Sequence, residues 1–437
     1  MSTPRVTVRL AAPLVGTLVA GALVAGTLAT TGAAGAPTPS SAVEAPQQAL
    51  RAGSARHVSY RHWSAHALRH GQRAGVVVTR GELRIGHPVG SRRYRGTRYQ
   101  LGRWTSPWVR PGFGLTEAVA SWDAATPKGT WVGVQMRVRT PSGRRSSWDT
   151  LGDWASYDHG FHRHTLGSQA DDLTSVAVDT LRSRARAKLT RWQVRITLLR
   201  RAGTSKTPQV QGLGAMVSRL PAGSPRTTRT TMRRTRVLPV PRRSQMIHRG
   251  HYPQWGGGGE AWCSPTSTTM VLRFWDSGPR PRAYRWIPAG HRDPDVDYGA
   301  RSVYDYGFNG AGNWPFNTAY ANRFQTDSFV TRLRSLREAE RFIKAGIPLV
   351  ASINFGPGEL DGAPISSTDG HLLVIRGFTG TGRVVVNDPA ARTDRGVRRV
   401  YRRGQFADAW VGGSGGLVYV IRPPGERLPR RTAEANW

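Results

Sequence analysis

The sequence predicts a multidomain chain in which an all-β, jelly-roll-like sandwich precedes an α+β domain. Three observations carry that reading. Residues 75–220 contain short runs alternating apolar and polar side chains, separated by turn residues such as those in TPKG and TPSG. Residues 221–240, PAGSPRTTRTTMRRTRVLPV, lack periodicity and are rich in Pro, Gly, Thr and Arg, as expected of a linker. Beyond Pro241 helical patterns come first and most strands follow, an α+β order.

In chain order, Arg5 and Arg9 precede an apolar run from Leu10 to about Leu28, and small residues follow through Ala33 and Ala36. Residues 1–36 therefore read as a secretory signal, which predicts a secreted, extracellular protein with no membrane span. Residues 37–57, rich in Ala, Pro, Ser and Gln, read as a disordered lead-in. In HWSAHALRH, His62, His66 and His70 would share one face of a helix, but no acidic ligand lies beside them. No metal and no cofactor is expected.

The sandwich is assigned to residues 58–220. Gly75–Thr79 and Glu82–Ile85 are short strands. Thr130–Arg139 places Val132, Val134, Met136 and Val138 on one face, and Trp192, Val194, Ile196 and Leu198 repeat the pattern. Leu173–Leu181 and Gln209–Val217 are two further candidates. Eight tryptophans fall here: Trp63, Trp104, Trp108, Trp122, Trp131, Trp148, Trp154 and Trp192. Such rings fill cores or stack on sugars, so a glycan is a candidate partner.

In the second domain, residues 241–423, Cys263 stands where a glycine-rich loop meets a helical pattern carrying Met270, Val271 and Phe274. Ser264 and Thr266 are capping types and Pro265 suits a first turn. A helix N-terminus favours a thiolate over a thiol. As the only cysteine, Cys263 has no intrachain disulfide partner, and an unpaired thiol in a secreted chain is a candidate for chemistry. Trp314–Arg323 reads as helical. Ser335 and Glu338 form a capping box for a helix bearing Leu336, Ala339, Phe342 and Ile343, which Gly346 closes. Strands follow at Leu349–Phe355, His371–Phe378, Arg383–Asn387, Arg398–Arg402 and Leu417–Ile421, and 424–437 is a basic tail.

A thiolate nucleophile needs a base, and the base an orienting group. If Thr379–Gly382 form a hairpin loop, Phe378 faces Arg383 and Leu373 faces Asp388. His371, two residues from Leu373, is then on the same face and diagonal to Asp388. Cys263, His371 and Asp388 are thus the predicted catalytic set.

These residues resemble the secreted relatives of the bacteriocin-processing, double-glycine-leader peptidases, a papain-like cysteine peptidase family. The resemblance rests on WCSPTSTTMVL, DGHLLVIRGF and VNDPA. It implies Cys263 as nucleophile, His371 as base and later acid, Asp388 as orienter, and a peptide or protein substrate. It also implies an oxyanion-hole glutamine upstream of the nucleophile. VPRRSQM points to Gln245, while Gln254 is nearer to Cys263, and both stay open. The glycines at 256–259 read as a flexible, substrate-facing loop rather than a phosphate cradle, since no Gly-Lys-Ser/Thr follows.

Two other readings fit the same residues. One is a cell-wall amidase, endopeptidase or transpeptidase on this fold, the other a non-enzymatic wall- or glycan-binding protein. The formal charge of +36, or +34 without Arg5 and Arg9, favours polyanions such as anionic wall polymers. The charge is mostly arginine spread over both halves, and no nucleic-acid motif accompanies it, so no specific nucleic-acid partner is expected.

Overall fold

The computed structural model describes residues 55–184, 188–223, 226–431 and 434–437. The expected signal and nearly all of the lead-in fall outside these residues. Residues from Gly53 to Trp437 form one compact unit.

Its first half is mostly β. Two antiparallel sheets, of seven and six strands, bury their facing sides in one core. The two alternating runs are neighbours in the smaller sheet: strand Arg191–Arg201 pairs with Thr130–Arg139, placing Trp192 opposite Val138 and Ile196 opposite Val134. All eight apolar side chains of the two runs are fully buried. Matching period-two faces set the register, because a one-residue slip would turn every one of them to the other side of the sheet.

Three expectations change in this half. Leu173–Leu181 is not one strand but part of a hairpin, Thr174–Ala177 and Thr180–Ser183. Val178 turns the chain at φ +56°, and Asp179 holds the turn by accepting hydrogen bonds from the Trp314 N–H at 2.7 Å and the Thr180 hydroxyl at 3.0 Å. The second change is a strand with no sequence signal, Glu117–Ala125. Small and apolar residues fill it without alternation because both of its faces are covered. Its Trp122 packs edge-on against Phe316 from the second half, at 6.1 Å between centroids. Third, His62 lies on the strand His57–Ser64, while His66 and His70 sit on a 3-10 turn, so the three share no helical face.

The second half is a mixed α/β region. Its seven-stranded antiparallel sheet follows the spatial order Asp327–Arg332, Leu417–Arg422, Leu349–Phe355, Thr368–Phe378, Val384–Asn387, Arg398–Tyr401, with Arg236–Val237 also pairing to Thr368–Phe378. Helices α1 (Cys263–Phe274), α2 (Pro294–Val303) and α3 (Trp314–Asn322) precede most of the sheet, and α4 (Leu336–Lys344) lies within the strand sequence. Among the described residues, no helix is long and apolar enough to cross a membrane.

The segment read as a linker is fastened to this sheet. Thr230 and Thr231 hydrogen-bond to the buried carboxylate of Glu340 on α4, and Arg236–Val237 adds its strand. Short polar residues with no period of their own are ordered here by partners distant in sequence. The expected tail also packs inward: the buried Trp437 stacks edge-on against Phe342 at 5.0 Å, and Asn436 donates to the Arg332 carbonyl at 2.9 Å. The capping box differs too. Ser335 precedes α4 but makes no side-chain cap, while Glu338 accepts from the Arg334 N–H at 2.7 Å and from Asn436 at 2.9 Å.

Candidate active site

Cys263 is the first residue of α1, so its backbone N–H is one of those a helix leaves without an internal acceptor. The capping expectation fails in detail. Trp262 occupies the cap position without a side-chain cap, and two serine hydroxyls of the first turns bond the sheet instead. Ser264 bonds the Tyr419 hydroxyl at 2.9 Å, and Ser267 donates to the Leu372 carbonyl at 3.0 Å. Residues 264–272 are all buried, so α1 is enclosed nearly all round and needs those polar anchors to be satisfied.

His371 lies on the strand beside α1, buried, opposite Ile353. Its Nε2–H donates to Asp388 Oδ1 at 2.8 Å. The hairpin that places these two residues reaches the expected register by another route. Phe378 faces Val384 rather than Arg383, so the turn is one residue longer than expected; a bulge at Arg376 absorbs the extra residue, and Val374 faces Asn387. That last pair has the predicted register. The Arg376 side chain supports the bulge by donating to the Leu238 carbonyl and to Asn387 Oδ1.

With Nε2 committed to Asp388, Nδ1 is the nitrogen of His371 left for the Cys263 thiol, to which the imidazole is hydrogen-bonded. Burial raises the thiol pKa, but the hydrogen bond and charge of His371, with the backbone N–H groups of Leu372 and Ser264, outweigh it and leave Cys263 below its usual value. For His371, burial favours the neutral ring, yet Asp388 and then Cys263 lift its pKa to about 10. Burial likewise opposes the Asp388 carboxylate, and His371, Tyr401 and the Ala390 N–H together hold its pKa below the ordinary one. Both shifts run in the same sense, toward a thiolate on Cys263 and an imidazolium on His371.

Sequence reasoning missed Tyr401. Its hydroxyl donates to Asp388 Oδ2 at 2.7 Å from the end of the neighbouring strand. The sequence places a strand at Arg398–Arg402, but only sheet order puts Tyr401 beside Asp388.

The two glutamines separate. Gln245 is buried and lines the same cleft as Cys263 and His371; Gln254 is exposed and does not line it. The Gln245 backbone N–H bonds the Pro389 carbonyl at 2.9 Å, next to Asp388, and its Nε2 donates to the Glu260 carbonyl at 2.6 Å. The glycine run is closely packed at one end. Gly256 to Gly258 all have positive φ, and a Cβ on Gly259 would stand 2.4 Å from the Gln245 carbonyl oxygen. Glycine is needed there so that the loop can pass against the Gln245 turn.

The cleft encloses about 1030 Å³. Gln245, Cys263 and His371 line it, together with Gly256 and Phe308. Glu117 and Arg182 contribute from the β half. Elsewhere in that half, the six tryptophans 63, 104, 122, 131, 154 and 192 are core residues. Trp108 and Trp148 are half-buried, and Trp148 carries Arg137 and Arg195 over its ring at 4.4 and 3.8 Å. Guanidinium groups thus occupy the aromatic surface a sugar would need.

Residues 59–218 match the family described as Peptidase C39 N-terminal domain, and residues 237–416 match the Peptidase_C39 like family. No curated relative matches the chain. One similar solved structure comes from work on the promiscuous specificity of carbohydrate-binding modules of the β-sandwich superfamily. It is 12% identical, covering 36% of this chain and 55% of that chain with a TM-score of 0.16, a likeness that carries no argument.

Proposed function

We propose that this chain, which belongs to the C39-related papain-like cysteine peptidases, hydrolyses peptide bonds through Cys263, His371 and Asp388. One observation carries the proposal: a single imidazole hydrogen-bonds the Cys263 thiol on one side and the buried Asp388 carboxylate on the other, at the wall of a cleft. In this reading the Cys263 thiolate adds to the scissile carbonyl carbon. The Cys263 N–H and the Gln245 amide stabilise the oxyanion, and His371 gives its proton to the departing amine. A water molecule then loses a proton to His371 as it adds to the thioester, and the carboxylic acid leaves as the thiolate re-forms. Asp388 keeps the ring oriented and stabilises its charged form.

The β half is read as a sandwich-type accessory whose Glu117 and Arg182 wall the cleft, so it restricts which peptides enter. Secretion belongs to the proposal through the sequence alone. N-terminal sequencing of protein recovered from a medium would test it, with cleavage near Ala36 or Ala45 expected.

The deciding experiment is hydrolysis of a peptide library and of denatured protein by the wild type and by Cys263→Ala. Loss of turnover in the variant is expected, and retained turnover would end the reading. Release of fragments from purified peptidoglycan but not from protein would move the substrate to the cell wall while leaving the thiol chemistry intact.

A further inference from the structure

Away from the cleft, three imidazoles converge on one carboxylate. Asp297, fully buried on α2, has His248 Nδ1 at 2.9 Å from Oδ2 and His251 Nδ1 at 2.8 Å from Oδ1. His291 Nδ1 stops 3.7 Å from the same Oδ1. That is too long for a hydrogen bond, and this buried nitrogen has no hydrogen-bond partner among the described residues. The His291 ring lies almost parallel to that of His251, with centroids 3.7 Å apart, so two stacked rings present nitrogens to one oxygen. The donor atoms of His248, His251 and Asp297 all lie within 4.8 Å of one another.

Protons satisfy this arrangement incompletely, since they leave His291 Nδ1 unpaired inside the protein. A metal ion can take the donor atoms of His248, His251 and Asp297, with His291 stacked beside them. Zinc holds nitrogen and oxygen ligands at about 2.0–2.2 Å, so ligands around a tetrahedral ion stand roughly 3.3 Å apart. The three separations of 2.8, 2.9 and 3.7 Å lie on either side of that value. Imidazole with one carboxylate is a donor set suited to zinc and similar borderline divalent ions.

We propose that His248, His251 and Asp297, with His291 packed beside them, form a site for a divalent transition-metal ion, zinc being the best fit. The sequence signal was the His-x-x-His pair at 248 and 251. Its acidic partner is 46 positions beyond His251, outside the range of a local motif.

The position of the site gives it a consequence. His248 ends the 3-10 turn that begins one residue after Gln245, and its N–H bonds the Gln245 carbonyl at 3.1 Å. A metal would tie that turn to α2, which also holds α1 through the Asp295–Arg273 ion pair at 2.6 Å. The glutamine and the nucleophile would then be referenced to one helix. The binding proposal itself stands independently of the peptidase reading.

The test uses the full chain carrying Cys263→Ala, because a thiol beside an imidazole is itself a zinc ligand pair. After chelation and removal of the chelator, calorimetric titration with zinc chloride should show one equivalent bound, and cobalt(II) should develop the absorption of a tetrahedral site. Adding His251→Ala, a partly exposed position, or Asp297→Asn should weaken zinc binding at least tenfold and abolish the zinc-dependent rise in unfolding temperature. If the buried Asp297→Asn variant does not fold, His251→Ala decides alone. Absence of stoichiometric binding, unchanged affinity in His251→Ala, or loss on changing His66 and His70 instead would each overturn the assignment.

Discussion

The Tyr401 hydroxyl donates to Asp388 Oδ2 at 2.7 Å, on the side of the carboxylate away from His371. Both groups are buried, so this bond to a charged acceptor fixes the carboxylate plane and hence the imidazole. Tyr401→Phe removes the donor without altering the ring. A hydrogen bond to a charged group contributes about 1.5–3 kcal/mol, so roughly tenfold loss of kcat is expected, with KM little changed. The variant should also lose part of what holds the thiol pKa down, which the pH profile of Cys263 alkylation measures. A normal profile with normal kcat would reduce Tyr401 to a packing role.

Gln245 and Gln254 give a direct contrast. Loss of an oxyanion donor typically costs about 10²–10³ in kcat, so Gln245→Ala should fall in that range and Gln254→Ala within about twofold of wild type. Steady-state kinetics on one peptide substrate suffices. Gly259→Ala, whose Cβ would meet the Gln245 carbonyl oxygen, should lower kcat in the same direction. The reverse order of the two glutamine variants would transfer the oxyanion role to Gln254.

The Cys263 pKa is lowered, so alkylation by iodoacetamide should persist at pH values below about 8.5, where an ordinary thiol is mostly protonated. The His371 pKa is raised to about 10, so hydrolysis should fall as pH rises through that value because the leaving amine loses its acid. Alkylation, which needs no acid, should continue. Asp388→Asn removes the charge that stabilises the imidazolium, and the acid limb of alkylation should move to higher pH. An unmoved limb would separate Asp388 from the pair.

Phe316 on α3 packs against Trp122 at 6.1 Å and Trp154 at 5.2 Å, joining the cores of the two halves. Phe316→Ala should cost about 3–5 kcal/mol, read from urea unfolding. Wild type should unfold in one transition by both far-ultraviolet dichroism and tryptophan fluorescence. Separate transitions for the two probes would show that the shared core does not couple the halves.

Much of the site was legible because its geometry is local. A hairpin of fixed register carries His371 and Asp388 seventeen positions apart, and counting along two strands brings them together even though a bulge and a longer turn replace the simple hairpin. The alternating runs at 130–139 and 192–198 were legible for the same reason, since one side of each strand faces the core and the other does not. Glu117–Ala125 was not, because burial on both faces erases the pattern. The hairpin in Leu173–Leu181 was missed because Trp314, 135 positions away, supplies a hydrogen bond that holds its turn.

The sequence by itself singled out Cys263, His371 and Asp388 as the candidate catalytic set, and the order of a β half before an α/β half. Each of these follows from residue identity and short-range periodicity. The tertiary structure alone decided which glutamine lines the cleft that Cys263 lines, that Tyr401 bonds the second oxygen of Asp388, and that His248, His251 and His291 gather around Asp297. Those contacts join residues from six to 49 positions apart. Their proximity is set by how sheets and helices pack, a quantity that no local spacing encodes.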